Sequence, residues 1–250
     1  MKIQGFKLAA AVLLAGLSGA AGATPSTVFW TPCSIDLQAY KSVHLSYDTY
    51  FTVAEKGGMR GGSAFPVDMG LTMGILPFEK FQAEVGFDWF EPTDYPLVFN
   101  AKMGFPEGAM FKGAPALQAG IFNAGTKKDV TDMNAVDVVT GLTLPAGLGR
   151  IHLGGYTGKK ELLAGSDGKS AEAGFMAAWD LSLLPVADGS YNRLGLCADW
   201  MSGKNILGGG GPGVAWYFSK NASILTGPVW FNDEGLNGKW KWTMQFDANI

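Results

Sequence analysis

The sequence has few charged residues and, after its first 20 residues, no long hydrophobic run. Charged residues make up 16% of the chain, whereas about 25% is typical of soluble domains. Beyond Leu17 no stretch approaches the ~20 consecutive apolar residues of a membrane-spanning helix, so no transmembrane helix is expected there. The 19 basic residues do not outnumber the 22 acidic ones, which argues against nucleic acid as a partner.

The first residues have the order of charges and apolar residues that directs export. Lys2 and Lys7 flank the start of a charge-free apolar run that extends from residue 8 to residue 17, and Ala21-Gly22-Ala23 provides a small-x-small cleavage pattern. This order predicts a signal peptide at residues 1–23 and a mature start at Thr24. Without the two lysines, the mature chain keeps 17 basic against 22 acidic residues, a net charge of about −5.

From residue 42 onward, apolar residues recur with period two, the period at which successive side chains leave opposite faces of a strand. Val43, Leu45 and Tyr47 share one face, and polar residues share the other. The alternation predicts twelve strands, at about 42–53, 65–75, 81–89, 95–105, 115–124, 134–144, 148–157, 170–184, 191–202, 206–218, 222–231 and 239–249. Most have ~10 residues or more, the length of a tilted strand that crosses a bilayer.

The connections between these strands alternate between short and long. Short ones at 76–78, 145–147 and 219–221 are expected at the periplasmic end, and long ones at 54–63, 125–133 and 158–169 at the external end. The connection at 106–114 breaks this rule because it is long on the periplasmic side. We expect it either to fold locally or to mark a slip in register.

Aromatic residues on the apolar face are sorted by strand end, as in the interfacial girdles of membrane barrels. One group is expected at the external end: Phe51, Phe65, Trp89, Tyr95, Trp200, Trp230 and Trp240. A second is expected near the other end: Phe78, Phe81, Phe105, Trp216 and Phe218. A soluble sandwich has no reason to sort its aromatic residues in this way. The predicted fold is therefore all-β, a single transmembrane antiparallel up-and-down β-barrel over residues 42–250.

With this pattern, residues 42–250 resemble the single-chain outer-membrane β-barrel proteins of Gram-negative bacteria, and the porin-like ones in particular. The resemblance implies an outer-membrane location, with membrane lipid and the barrel assembly machinery as partners. It also implies a channel for small solutes or ions that is not an enzyme. That family usually ends in an aromatic residue that the assembly machinery reads. Here Trp240, Trp242 and Phe246 continue the aromatic stripe, but the last residue is Ile250.

Alternation assigns the charged residues of the strands to the lumen. The acidic ones are Asp48, Asp68, Glu84, Asp88, Asp137, Glu172, Asp180, Asp199 and Asp247, and the others are Lys102, Arg150, Arg193, Lys239, Lys241, His44 and His152. In an open lumen, the excess of acids predicts a modest preference for cations. The alternative is that these charges pair across strands in a plugged structural or surface-interaction barrel that does not transport.

No catalytic, metal or cofactor site is expected. His44, Ser46 and Asp48 are the residue types of a hydrolytic triad, but neighbours on one face of a strand are ~7 Å apart, whereas such a triad needs contacts of ~3 Å. The other histidine, His152, lies on the seventh strand, which is opposite the first in a twelve-stranded barrel.

The two cysteines leave two arrangements open for residues 24–41, a segment that is either periplasmic or lumenal. Disulfides persist in the oxidising compartment to which the chain is exported. A bond between Cys33 and Cys197 would fix the segment inside the barrel as a plug. The alternative is two unpaired, buried thiols.

Overall fold

The structure is a computed structural model that describes residues 27–53 and 65–250. The predicted signal peptide lies outside the described residues, as does the 54–63 connection. Within the described ranges, no helix has the length and apolar character needed to cross a membrane.

Twelve antiparallel strands close into one barrel, which confirms the predicted fold. They are β1 Val43–Phe51, β2 Val67–Gly74, β3 Gln82–Glu91, β4 Leu97–Phe105, β5 Ala116–Gly125, β6 Asp132–Thr143, β7 Arg150–Thr157, β8 Ala173–Pro185, β9 Asn192–Met201, β10 Gly209–Ser219, β11 Ala222–Phe231 and β12 Trp240–Asn249. Each strand pairs with its neighbours in sequence, and β1 pairs with β12 from His44↔Asn249 to Phe51↔Trp242. One short helix, α1 Glu234–Asn237, lies in the last connection.

The barrel has two distinct ends. We name them the terminal end, where β1 begins and β12 ends, and the loop end opposite. The 106–115 connection at the terminal end folds locally, since Gly108 N donates to Ala114 O at 2.9 Å. The Glu107 carboxylate also accepts hydrogen bonds from the backbone and hydroxyl of Thr143. The register therefore does not slip here, and the irregular pairing of β4 with β5 lies nearer the loop end, between Phe99 and Ala101.

The outer face of the barrel is an apolar surface that reaches around all the strands. Leu45, Met69, Phe99, Leu153 and Val214 all point outward and are all exposed. Soluble monomers rarely expose continuous apolar surface on this scale, whereas a membrane barrel presents such a band to lipid. The alternation thus has its apolar side outward, as predicted.

Most of the aromatic residues assigned to the loop end lie on this outer surface, but the assignment is wrong for Phe65. Phe51, Trp89, Trp200 and Trp230 are exposed. Phe65 precedes β2 and turns inward, where its ring stacks on Phe231 with centroids 5.3 Å apart. Strand alternation does not extend to a residue outside the strand, so it could not give the direction of this side chain.

The closed barrel is expected to resist unfolding by detergent. A barrel without free strand edges satisfies all its wall hydrogen bonds internally, so it should keep its shape in detergent until it is heated. The mature protein should migrate differently on a denaturing gel with and without boiling, and should stay with membranes during carbonate extraction. Complete release by carbonate would contradict the membrane-embedded barrel.

Candidate functional site

Residues 27–41 run through the lumen from the loop end to the terminal end, and we name this segment the plug. At the loop end, the Trp30 ring packs against Tyr50 and Phe231, with centroids 5.5 and 5.2 Å apart. At the terminal end, Tyr40 forms a bridge with Gly74, the last residue of β2. Between them the plug has no regular secondary structure. Its backbone groups need partners in the wall, because irregular backbone at membrane depth is tolerated only where protein or water satisfies it.

Asp199 of β9 anchors the plug near the loop end. Its Oδ2 accepts hydrogen bonds from the backbone N–H groups of Phe29, Trp30 and Thr31 at 3.0, 2.8 and 2.7 Å. From the other side, Gln245 Nε2 of β12 donates to Phe29 O at 2.8 Å. One buried carboxylate thus satisfies three consecutive donors with charge-assisted bonds, the stronger class of hydrogen bond.

The Phe29 ring lies in a notch made by glycines. A Cβ atom added at Gly213 of β10 would come within 2.6 Å of the ring, and one added at Gly227 of β11 within 3.1 Å. The notch opens on an apolar core inside the barrel that includes Leu225 and Val229. The inner face of β11 packs against the plug, which explains why this face is mainly apolar.

A charged network holds the plug near the terminal end. Arg150 of β7 binds the Asp36 carboxylate with both terminal nitrogens, at 2.7 and 2.8 Å, and also binds Asp180 of β8. His152 Nε2 contacts the same Asp180 at 2.7 Å, while its Nδ1 accepts the Ile35 N–H at 3.1 Å. Since Nδ1 is the acceptor, the Nε2 of His152 must carry the proton.

Two more lumen charges contact the backbone of the plug. Glu84 of β3 accepts the Gln38 N–H at 2.7 Å. Lys102 of β4 donates to the carbonyl of Ser34 at 3.2 Å. Several of the charges that alternation places in the lumen therefore fix the plug.

Cys33 and Cys197 are free thiols, and both are buried. Cys33 is fully shielded from solvent. The hydrogen bonds, ion pairs and apolar contacts described above hold the plug in the lumen without a bond between the two sulfurs.

The plug leaves a cavity of about 470 Å³ that is lined mainly by residues of β1–β6. Nearer the terminal end the plug also contacts this side of the wall, through Glu84, Lys102 and Gln118. The cavity extends from Tyr95 and Val130 at the loop end to Glu84 and Asp247 nearer the terminal end. Asp48, Asp68 and Asp88 line its middle. The open part of the lumen is thus one-sided and acidic.

Thirteen of the sixteen residues assigned to the lumen lie inside the wall: His44, Asp48, Asp68, Glu84, Asp88, Lys102, Asp137, Arg150, His152, Asp180, Asp199, Lys241 and Asp247. The other three lie at the strand ends. Glu172 and Lys239 precede the first residues of β8 and β12, and Arg193 is exposed near the start of β9. Alternation does not fix the directions of Glu172 and Lys239, which lie outside their strands, whereas Arg193 is the second residue of β9.

The geometry does not assemble a triad on β1. His44 Nε2 contacts Asp247 at 3.2 Å, and its Nδ1 contacts Asn249 at 2.8 Å. Both ring nitrogens are therefore engaged with β12, and neither is left for Ser46. Among the described residues, no group of three or more Asp, Glu, His or Cys is arranged to hold a metal ion.

Hydrogen bonds order the connections at the loop end. Asp233, which caps α1, accepts from Ser166 N at 2.8 Å and so joins the 158–172 connection to α1. Slight burial acts to raise the pKa of Asp233, but the bonds from Ser166 and Gly235 hold it below its ordinary value. Lys159 bonds Asp129 and Asp132, which raise the pKa of its ammonium. These links shape the rim around the cavity.

Several residues inside the lumen were not predicted from the sequence, because the assignment considered only charged residues of the strands. The neutral side chains of Gln118 and Gln245 donate to plug carbonyls at Ile35 and Phe29. Alternation could have found Gln245, since it shares a face of β12 with Asp247. The strand of Gln118, β5, has no charged residue that marks its inner face. Asp36 and Trp30 belong to the plug itself, where no periodic pattern marks a direction.

Comparison with known proteins supports the barrel assignment at the level of fold. No family model matches the sequence, and no curated protein is similar to it. Among solved structures, the KdgM porin matches 84% of this chain and 99% of its own, with 8% identity and a TM-score of 0.51. An outer membrane channel from Pseudomonas putida F1 matches 91% and 99%, with 11% identity and a TM-score of 0.44. The NanC porin matches 83% and 98%, with 6% identity and a TM-score of 0.46.

The chain is therefore a closed twelve-stranded β-barrel whose fold is similar to that of the KdgM porin. At 8% identity, the likeness concerns the fold alone. What passes through or binds in the lumen has to be argued from the residues of this chain.

Proposed function

We propose that this protein is an outer-membrane channel for small ions and solutes, narrowed by its plug and modestly selective for cations. The observation behind the proposal is the cavity that the plug leaves open. This cavity is lined mainly by residues of β1–β6, and Asp48, Asp68 and Asp88 lie in its wall. Acidic residues in a low-dielectric wall raise the local concentration of cations.

The charged residues that line the cavity favour cations more strongly than the numbers of acidic and basic residues in the whole lumen suggest. Arg150 is engaged by Asp36 and Asp180, and Asp199 by the plug backbone. Asp48 and Asp68 form no salt bridge among the described residues. The charged groups that face the open cavity are therefore mainly carboxylates.

The selectivity prediction concerns Asp68 and Asp88. In planar bilayers with a salt gradient, the protein should give a reversal potential on the cation-selective side. Changing both residues to asparagine should move that potential toward zero, and the change should be smaller at 1 M salt, where the screening length falls to about 3 Å.

The matched control neutralises two acids outside the lumen, Asp167 and Asp188, which lie in exposed connections. This variant loses the same formal charge and should keep the original reversal potential. Equal shifts in both variants would show that the lumen carboxylates do not set selectivity.

A second candidate, a closed structural barrel, is favoured by the anchoring of the plug at both ends. Under this proposal Asp199 and Arg150 hold the plug permanently. Such a barrel would insert into bilayers and show gel mobility that depends on heating, but would give no conductance steps.

A further inference from the structure

Three carboxylates lie together on the open side of the lumen, and we name Asp48, Asp68 and Asp88 the carboxylate cluster. Asp48 and Asp68 are directly opposite each other on β1 and β2, so their side chains leave the same face. Asp88 of β3 lies opposite Gly70, and a Cβ atom at Gly70 would come within 2.8 Å of its Oδ1. The absence of a side chain at residue 70 makes room for Asp88 beside the other two.

Among the described residues, none forms a salt bridge with the cluster. Asp48 Oδ1 and Asp68 Oδ1 are both buried, and neither has a hydrogen-bond partner. Asp88 accepts one bond, from Asn100 Nδ2 at 2.9 Å. Like charges directly opposite on neighbouring strands are destabilising, and a buried polar group without a partner costs roughly 1–3 kcal/mol. This arrangement favours a positively charged ligand in the cavity that the three residues line.

Aromatic rings form the adjoining wall of the same cavity. Trp30, Tyr50 and Phe65 pack against one another, with Trp30–Tyr50 centroids 5.5 Å apart and Tyr50–Phe65 centroids 5.4 Å apart. Phe90 and Tyr95 line the space as well. Rings next to carboxylates suit a cation with an apolar body, because ring faces attract cations and also bury hydrocarbon.

Size and donor set favour an organic cation over a metal ion. The cavity volume of about 470 Å³ lies within the roughly 300–1,000 Å³ of small-molecule sites. A metal ion would need carboxylates that converge on one point, and the cluster is not arranged to hold one.

We propose that this cavity binds a substituted ammonium ion with an apolar body, its charge at the carboxylate cluster and its body against Trp30, Tyr50 and Phe65. The proposal deepens the proposed function by naming a class of permeant cation, and it rests on that function for access to the lumen. Binding itself requires no conduction.

The test is isothermal titration of the full-length mature protein in detergent with benzyltrimethylammonium chloride. We expect saturable binding at one site, and none with sodium benzoate, which has a similar ring and the opposite charge. Asp68→Asn should weaken binding at least about tenfold through the loss of a charged partner. Asp188→Asn, in an exposed turn, should bind as the wild type does.

Asp48→Asn provides a second variant should Asp68→Asn fail to fold, and heat-dependent gel mobility reports folding for each. Equal binding of benzoate, no binding of the ammonium ion, or unchanged affinity in both folded variants would overturn the proposal. Conductance without ammonium binding would refute this proposal alone. Ammonium binding without conductance would refute only the channel.

Discussion

Asp199→Ala should release the loop-end half of the plug. The substitution removes the acceptor of three backbone N–H groups, and hydrogen bonds to charged groups contribute about 1.5–3 kcal/mol each. Single-channel conductance should rise, because the loop-end part of the plug would no longer be held against β9. In a Cys197→Ser background, Cys33 should also react with a maleimide, from which it is shielded in the docked plug.

Asp188→Ala is the matched control, because it removes the same charge from an exposed turn outside the lumen. It should leave both conductance and labelling of Cys33 unchanged. If Asp199→Ala also left both unchanged, Asp199 would not be the anchor of the plug. If labelling rose while conductance stayed at zero, the lumen would be closed by something other than the plug.

The second large effect concerns the outer surface. Leu71 points outward near the middle of β2, next to Leu45 of β1. An arginine at the bilayer midplane of such a barrel costs about 2–4 kcal/mol, against about 0–1 kcal/mol near an interface. Leu71→Arg should lower the free energy of unfolding by that larger amount, measured by guanidinium titration in lipid vesicles.

Trp89→Arg is the comparison, because Trp89 also points outward but lies near the loop end of β3. Its cost should stay near the lower value. Equal costs at the two positions would mean that the bilayer midplane does not cross β2 near Leu71.

The strands of this barrel could be predicted from the sequence because alternation is a local signal. Each strand has enough residues for the period of two to show, and the wall follows from pairing consecutive strands. The errors and gaps lie where that signal ends. Phe65 lies two residues before β2, and Glu172 and Lys239 also precede their strands.

The plug could not be predicted in the same way, because an extended segment without a periodic partner gives no direction to its side chains. One signal was nevertheless present. Ser223, Leu225, Val229 and Phe231 on the inner face of β11 are mainly apolar, whereas several other strands turn charged residues inward. A strand that is apolar on both faces must contact lipid on one side and an apolar element on the other. Phe29 and its neighbours are that element.

The bond between Gln245 and Phe29 has a consequence for how the chain assembles. Its two residues are 216 positions apart in sequence, so it joins the two ends of the chain. The plug directly precedes β1, and Gln245 belongs to β12, the strand that closes the seam with β1. We therefore expect seam closure and docking of the plug at the loop end to be coupled, because both involve β12. Contacts of such large sequence separation slow folding, and we expect the docked plug to help align the last strand with the first.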